Sequence, residues 1–214
     1  MNENALGKTI LVMAPHTDDG EFGCGGLIAK CIEHGSRIIY VAFSAAEQSV
    51  LHNLPKDILR TEVKAATAVL GIQSEDCIVL DFEVRRFPEK RQQILDCMIE
   101  FRDEFQPDTV FLPSTNDTHQ DHHTVAQEGF RAFKGLTMLG YEVPWNNLNF
   151  TTQCFVDLEE KHIKTKVKAL EQYQSQAHRR YANEGFVRSL ATTRGVQVGC
   201  NYAETFEVVR WVIN

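Results

Sequence analysis

Short apolar runs alternate with longer amphipathic stretches through the first part of the chain, and this alternation constrains the fold more than any other feature. Each run is almost continuously apolar, as expected for strands that are covered on both faces. The predicted strands are Thr9–Ala14, Arg37–Ser44, Cys77–Phe82 and Thr109–Ser114. The predicted helices between them are Gly26–His34, Pro55–Leu70 and Glu89–Phe105. This order predicts an α/β fold, a Rossmann-like, open, mostly parallel sheet with helices on both faces.

The remainder of the chain gives a weaker pattern. A helix is predicted after Asp121 through Phe133, and the segment Gly135–Asn149 reads as irregular because it carries Gly, Pro and Asn. A strand near Cys154–Leu158, a helix over Glu160–Gln176 and an edge strand in Tyr202–Val212 complete the prediction. The sequence contains no repeat, low-complexity tract or linker, which favours a single domain for the whole chain, residues 1–214.

Composition and charge narrow the classes of partner. Of 214 residues, 43% are hydrophobic and 24% charged, the balance of a globular protein. The net charge of −7 argues against nucleic acid or an anionic membrane surface. No apolar stretch approaches the roughly 20 residues that a membrane helix needs, and the start lacks the pattern of a secretory signal. Six cysteines without a C-x-x-C pair suit buried thiols, so we expect a cytoplasmic protein.

Two clusters of histidine and carboxylate follow predicted strands. His16, Asp18 and Asp19 come directly after the first strand, and His119 and His122 come after the fourth. Because ligands bind beyond the carboxyl ends of parallel strands, we expect these five residues to meet in one crevice. Imidazole and carboxylate together suit Zn²⁺, Fe²⁺ and similar ions. Two histidines and one carboxylate would leave coordination positions open, the mark of a catalytic metal site.

These clusters also have other interpretations. Asp18 or Asp19 alone would most simply cap a helix, and the glycines at 20, 23, 25 and 26 resemble a phosphate-binding turn. Three carboxylates in that turn would repel a pyrophosphate, and the spacing is not G-x-G-x-x-G. A non-haem iron oxygenase also uses two histidines and one carboxylate, but the extra Asp18 fits hydrolysis better. A sugar-binding or assembly protein that keeps the site without catalysis is a further alternative, and a hydrolase of a different N-acyl substrate is another.

The motifs resemble those of the LmbE-like, or PIG-L, family of metal-dependent deacetylases. The family's H-P-D-D-x-E-x-G-x-G-G is matched by HTDDGEFGCGG, in which Thr17 replaces the proline, and its H-x-D-H is matched by HQDH at 119–122. Weaker likeness covers Glu47, Arg60 with Glu62, and KALEQYQSQ at 168–176. The resemblance implies removal of an N-acetyl group from an N-acetylglucosamine-type or related amino-sugar conjugate, a small-molecule partner, and a homo-oligomer as in many relatives.

The resemblance also implies a role for each matched residue. His16, Asp19 and His122 would bind the metal, Zn²⁺ by preference, with Fe²⁺ or another divalent ion as alternatives. Asp18 would act as general base on the metal-bound water, and His119 would stabilise the oxyanion or protonate the leaving amine. Glu47 and Arg60 would lie near the sugar.

Elementary chemistry is consistent with these roles. A bound Zn²⁺ lowers the pKa of its water to about 7 and polarises a carbonyl. Asp117 or Asp121 is a candidate outer partner that would orient a ligand histidine through its other ring nitrogen. His123 has no assigned role, because an adjacent residue on a helix points about 100° away. For the substrate, the segment Gly140–Asn149 is a candidate pocket rim. Charged residues after the third strand are candidate substrate contacts or plain surface charges, namely Glu83, Arg85 and Arg86.

Overall fold

A seven-stranded sheet forms the centre of the computed structural model, which describes residues 6–213. The strands are β1 (Thr9–His16), β2 (Arg37–Ser44), β3 (Cys77–Val79), β4 (Thr109–Pro113), β5 (Thr137–Tyr141), β6 (Cys154–Leu158) and β7 (Tyr202–Arg210). Their order across the sheet is β3-β2-β1-β4-β5-β7-β6. The first five strands are parallel, while β7 runs antiparallel to both of its neighbours. The predicted open, mostly parallel sheet is therefore confirmed.

Helices cover both faces of the sheet. They are α1 (Asp19–Glu33), α2 (Ile58–Leu70), α3 (Arg91–Phe105), α4 (Gln120–Ala132), α5 (Glu160–Leu170) and α6 (Glu184–Val198). The alternation of side chains along β1 shows how the two layers arise. Ile10 and Val12 pack in one core with α1, α2 and α5, whereas Leu11 and Met13 pack in the other with α3 and α4. All four side chains are fully buried, which explains why the run is continuously apolar.

Several of the sequence expectations about secondary structure were wrong. The segment Gly135–Asn149 contains a strand, β5, and β7 lies inside the sheet, between β5 and β6, so that β6 forms this edge. The helix over Glu160–Gln176 ends at Leu170. The first helix begins at Asp19 instead of Gly26, and α6 was not predicted. In α6 only Val187, Ala191 and Gly195 are buried, a stripe too narrow to give a clear helical pattern.

A break inside α1 is stabilised from the far end of the chain. Cys24 has a non-helical backbone, with φ −144° and ψ 22°, so the helix restarts after it. The Glu204 carboxylate of β7 accepts hydrogen bonds from Gly26 N–H at 2.9 Å and Leu27 N–H at 2.7 Å. A carboxylate at the start of a helix satisfies free N–H groups and complements the helix dipole. The Lys166 ammonium lies 2.7 Å from Glu204 and 2.6 Å from the Phe22 carbonyl, so this buried charge is paired.

The strand order of the sheet favours one position for binding a ligand, at the carboxyl end of β1. β1 has β2 on one side and β4 on the other. The connections that follow the carboxyl ends of β1 and β4 therefore run in opposite directions across the sheet. Such a switch point leaves a crevice beyond the strand ends. Both histidine and carboxylate clusters follow these strands. No helix within residues 6–213 has the length and apolar character needed to cross a membrane, and all six cysteines are free thiols.

Candidate metal centre and active site

Three side chains bring one donor atom each to a common point beyond β1. His16 ends β1, Asp19 begins α1, and His122 lies in the first turn of α4. The Asp19 Oδ2 atom is 3.1 Å from His16 Nδ1 and 3.2 Å from His122 Nε2, and the two nitrogens are 3.3 Å apart. Ligand atoms about 2.0–2.1 Å from a tetrahedral Zn²⁺ are separated by roughly 3.3–3.4 Å. The three donors therefore fit a zinc site.

A second set of donors overlaps the first. His16, His119 and His122 also bring ligand nitrogens within 4.8 Å of one another. The set that contains Asp19 has the shorter separations, all close to a tetrahedral edge. His119 caps the start of α4, where its Nδ1 accepts a hydrogen bond from Asp121 N–H at 3.2 Å. The geometry thus favours Asp19 over His119 as the third ligand.

Buried carboxylates hold the outer nitrogens of both ligand histidines. Asp117 Oδ2 lies 2.8 Å from His122 Nδ1, and Asp121 Oδ2 lies 3.0 Å from His16 Nε2. Each carboxylate also binds a backbone N–H group: Asp117 accepts from His119 at 2.8 Å, and Asp121 accepts from Arg85 at 2.6 Å. Outer carboxylates of this kind fix the tautomer and orientation of a metal-binding histidine. Both Asp117 and Asp121 were sequence candidates for this position.

The electrostatics of the three donors favour a positive charge between them. Burial lowers the pKa of His16, but Asp19 and Asp121 outweigh it and raise the pKa to about 8. Burial also opposes the charge on His122, yet Asp19 and Asp117 raise its pKa to about 10. Although burial works in the other direction, the two histidines hold the pKa of Asp19 well below its usual range. A divalent cation supplies the positive charge that this carboxylate-rich cluster stabilises.

Asp18 lies beside the donors and is not used as a helix cap. It occupies the N-cap position of α1, but its side chain forms no capping hydrogen bond. The carboxylate is half-buried and lines the same cavity as the metal donors. Burial and the neighbouring charge of Asp19 raise the pKa of Asp18 to about 6. A carboxyl group that titrates near neutral pH is suited to accepting and returning a proton.

A cavity of about 250 Å³ opens over these residues. It brings together all five residues that the sequence predicted, His16, Asp18, Asp19, His119 and His122. Trp145 and Asn146 also line it, which confirms the predicted contribution of Gly140–Asn149 to the rim. Sequence reasoning gave no site role to the other lining residues Ala46, Ser49, Leu59, Val84, Gln176, Arg179 and Tyr181. The rings of Trp145 and Tyr181 stack with centroids 3.7 Å apart and planes 6° apart, so this wall is aromatic.

Comparison with known proteins agrees with the motifs. The family model described as PIG-L, GlcNAc-PI de-N-acetylase, matches residues 11–133, which is more than half of the chain. The chain belongs to the PIG-L family. A relative in Escherichia coli strain K12, described as the uncharacterized deacetylase YaiS, is 26% identical over 78% of this chain and 91% of its own length. The matched region contains all five predicted site residues. The cavity wall that begins at Trp145 lies beyond it.

Two solved structures share the fold. The diacetylchitobiose deacetylase of Pyrococcus horikoshii superposes with a TM-score of 0.76 at 23% identity, covering 94% of this chain and 84% of that protein. The 4-carboxy-2-hydroxymuconate hydratase GalB of Pseudomonas putida KT2440 has a TM-score of 0.76 at 20% identity, covering 97% and 98%. One structure is described as a deacetylase and the other as a hydratase, so likeness of fold alone does not select the reaction.

Hydrogen bonds from two tyrosines stabilise the turn in which Thr17 replaces the usual proline of the PIG-L motif. The Thr17 carbonyl accepts hydrogen bonds from Tyr40 Oη at 2.8 Å and Tyr173 Oη at 2.7 Å. Both hydroxyl groups also contact the fully buried carboxyl group of Glu21. Since Thr17 is itself buried, the backbone between His16 and Asp18 is held by packing and hydrogen bonds rather than by a proline ring.

The weaker family positions lie beside the cavity. Arg60 Nε donates to Glu47 Oε1 at 2.8 Å, and the guanidinium also pairs with Asp81. This group lines a neighbouring depression that shares Ala46 with the main cavity. His123 is exposed and lies 2.8 Å from Gln127, so it takes no part in the donor cluster.

Proposed function

We propose that this member of the PIG-L family is a zinc-dependent N-deacetylase, a hydrolase of a linear amide. Its substrate would be a small molecule, an N-acetylglucosamine-type or related amino-sugar conjugate. The observation that carries the proposal is the cluster of His16, Asp19 and His122 donors 3.1–3.3 Å apart, with Asp18 in the same cavity. The deacetylases among its relatives support the reaction type, and the free thiols agree with a cytoplasmic location.

The metal would be held by His16, Asp19 and His122, and would supply Lewis acidity for the amide carbonyl and a lowered pKa for water. Zn²⁺ is the first choice because two imidazoles and one carboxylate form one of its catalytic donor sets. Fe²⁺ accepts the same donors. Asp117 and Asp121 keep the two imidazoles in the tautomers that such binding requires.

Asp18 would carry the proton through the reaction. It accepts a proton from the attacking water as the water oxygen bonds to the carbonyl carbon. When the C–N bond breaks, its electron pair goes to nitrogen, and Asp18 returns the proton to that nitrogen. The products are the free amine and acetic acid, which ionises to acetate.

His119 would stabilise the oxyanion. Its Nδ1 accepts the Asp121 N–H bond, so the proton of the neutral ring is assigned to Nε2. An imidazolium would place a second proton on Nδ1, against that N–H donor. The hydrogen bond therefore favours a neutral ring that donates from Nε2 to the developing oxyanion over one that protonates the amine.

The proposal is tested by measuring acetate release from a panel of N-acetylated amino sugars, before and after chelation and on return of Zn²⁺. Asp18→Asn should lower kcat by roughly 10²–10⁴-fold with metal content unchanged. Asp57→Asn is a matched control, because Asp57 also sits at an N-cap position, that of α2, without a capping hydrogen bond. Asp57 does not line the cavity, so this variant should keep full activity.

Different results would favour the alternatives. Binding of N-acetyl sugars without acetate release would indicate a sugar-binding protein that retains the metal site. Full metal content in His122→Ala would contradict the ligand assignment. Wild-type activity in Asp18→Asn would contradict the role of Asp18 as base.

A further inference from the structure

We propose that Arg179 binds an anionic group, a carboxylate or a phosphate, carried by the substrate. This inference rests on the proposed function and narrows its substrate class from amino-sugar conjugates in general to anionic ones. Arg179 lines the cavity that contains Asp18 and the metal donors. It would be a specificity residue that contacts the anionic group and not the bond that is broken.

The pairing of the arginines singles out Arg179. Eight of the twelve arginines form ion pairs with carboxylates. Within residues 6–213, the four that form none are Arg85, Arg179, Arg180 and Arg210. Of these four, Arg179 alone lines the cavity. The one hydrogen bond of its side chain among the described residues uses Nε, which donates to Gln176 Oε1 at 3.3 Å, so the two terminal nitrogens stay available.

The carboxylates around the cavity give the positive charge of Arg179 its importance. Asp18 and Asp19 line the cavity, and Asp117 and Asp121 lie directly behind the ligand histidines. Even with a divalent ion on the three donors, these four carboxylates leave a net negative charge, so an anionic substrate would need a further cation to receive it. Arg179 is the single Lys or Arg among the described residues of the lining. A planar guanidinium can bind a carboxylate or phosphate through two parallel hydrogen bonds.

The segment that carries Arg179 is fixed in place. Ser175 N–H donates to the buried Glu62 carboxylate at 2.9 Å, which ties the segment to α2. Arg179 N–H donates to the Gln176 carbonyl at 2.9 Å, and Tyr181, two residues later, stacks on Trp145. The guanidinium therefore extends from an anchored backbone beside an aromatic wall. Little ordering of the chain would be required when an anion binds.

The arginines after β3, which the sequence offered as anion contacts, do not fill this role. Arg86 forms an ion pair with Glu89 at 2.7 Å, and neither Arg85 nor Arg86 lines the cavity. Arg85 contributes its backbone N–H to Asp121 instead. The anion contact is thus assigned to a segment some ninety residues later in the chain.

The test compares acetate release from neutral and anionic substrates. The neutral one is the methyl glycoside of N-acetylglucosamine, and the anionic ones are N-acetylglucosamine 1-phosphate, its 6-phosphate and N-acetylmuramic acid, which carries a carboxylate. Wild-type protein should prefer at least one anionic substrate. Arg179→Gln should lower kcat/KM for it by roughly ten- to hundredfold, mainly through KM, and change the neutral substrate less than about threefold. Arg180→Gln, which alters the adjacent unpaired arginine outside the lining, should leave the preference intact.

The phosphate and carboxylate arms identify which anion is bound. An equal loss on neutral and anionic substrates in Arg179→Gln, or no anionic preference in the wild type, would overturn the inference while leaving the deacetylase proposal standing. If no substrate releases acetate, the deacetylase proposal fails. In that case, titration calorimetry tests the role of Arg179 separately. Wild-type protein should bind glucosamine 6-phosphate at least tenfold more tightly than glucosamine, whereas Arg179→Gln should bind the two with similar affinity. Equal affinities in the wild type would contradict the role of Arg179.

Discussion

Asp117 Oδ2 lies 2.8 Å from His122 Nδ1, while the other nitrogen of the same ring lies 3.2 Å from Asp19. His16 is arranged in the same way, between Asp121 at 3.0 Å and Asp19 at 3.1 Å. Both histidines are therefore held from behind by a buried carboxylate. The donor cluster is built before any ligand arrives, since each ring has one orientation that satisfies both of its nitrogens.

Asp117→Asn should weaken zinc binding by roughly 10–100-fold, because an amide removes the charge that supports the His122 ring. Zinc affinity is measured by competition with a chromogenic chelator. Asp81→Asn is the control, since it removes a carboxylate whose side chain is 86% exposed and lies outside the donor cluster. An affinity in Asp117→Asn equal to that of Asp81→Asn would contradict the supporting role of Asp117.

Zinc should stabilise the folded protein through the three donors. At a free concentration about 100 times its Kd, a ligand that binds only the folded state adds about 2.7 kcal/mol, or roughly 5–10 °C in Tm for a chain of this size. Calorimetric scans with and without Zn²⁺ measure the shift. His122→Ala should abolish it, while His123→Ala, which changes the exposed neighbour, should retain it. A full shift in His122→Ala would exclude this histidine as a ligand.

Tyr173→Phe should reduce both stability and activity. The hydroxyl group contacts the Thr17 carbonyl at 2.7 Å and Glu21 at 2.8 Å, and its loss leaves buried acceptors with one donor fewer. The expected cost is about 1–3 kcal/mol in the free energy of unfolding. Tyr141→Phe is the matched control, because its hydroxyl bonds the Met13 carbonyl inside β1. It should lose similar stability but keep kcat, and an equal loss of kcat in both variants would refute a specific effect on the Thr17 turn.

The metal centre was predictable because each of its parts is local in sequence. His16, Asp18 and Asp19 follow one apolar strand and His119 and His122 another, and parallel strands end at the same edge of a sheet. The far wall of the cavity was not predictable in this way. Trp145 follows β5, a five-residue strand that contains Gly140, and its short run was hidden in a segment that reads as irregular. Recognition of β5 as a parallel neighbour of β4 would have predicted Trp145 near the site.

Long-range contacts account for the remaining differences. The break at Cys24 is supported by Glu204, which lies 178 residues from Gly26, so no local pattern indicates it. Arg179 lines the cavity from a segment that Glu62 anchors through Ser175, 113 residues away. A guanidinium without an ion-pair partner is visible only once the positions of all carboxylates are known. Sequence patterns therefore identify the chemistry more readily than the surface that selects its substrate.

The buried pair of Lys166 and Glu204 should be a major determinant of stability. Both side chains are less than a tenth exposed, and Glu204 also caps the second part of α1. Lys166→Met removes the cation and leaves the carboxylate buried without its partner, which should cost about 3–5 kcal/mol in the free energy of unfolding. Lys161→Met is the matched control on the same helix. Lys161 pairs with Glu33 at the surface, where both side chains are about half exposed, and the expected cost is below about 1 kcal/mol. Urea unfolding measures the free energy of unfolding of both variants. An equal loss in the two would show that hydrogen bonds from the α1 backbone alone satisfy the Glu204 carboxylate.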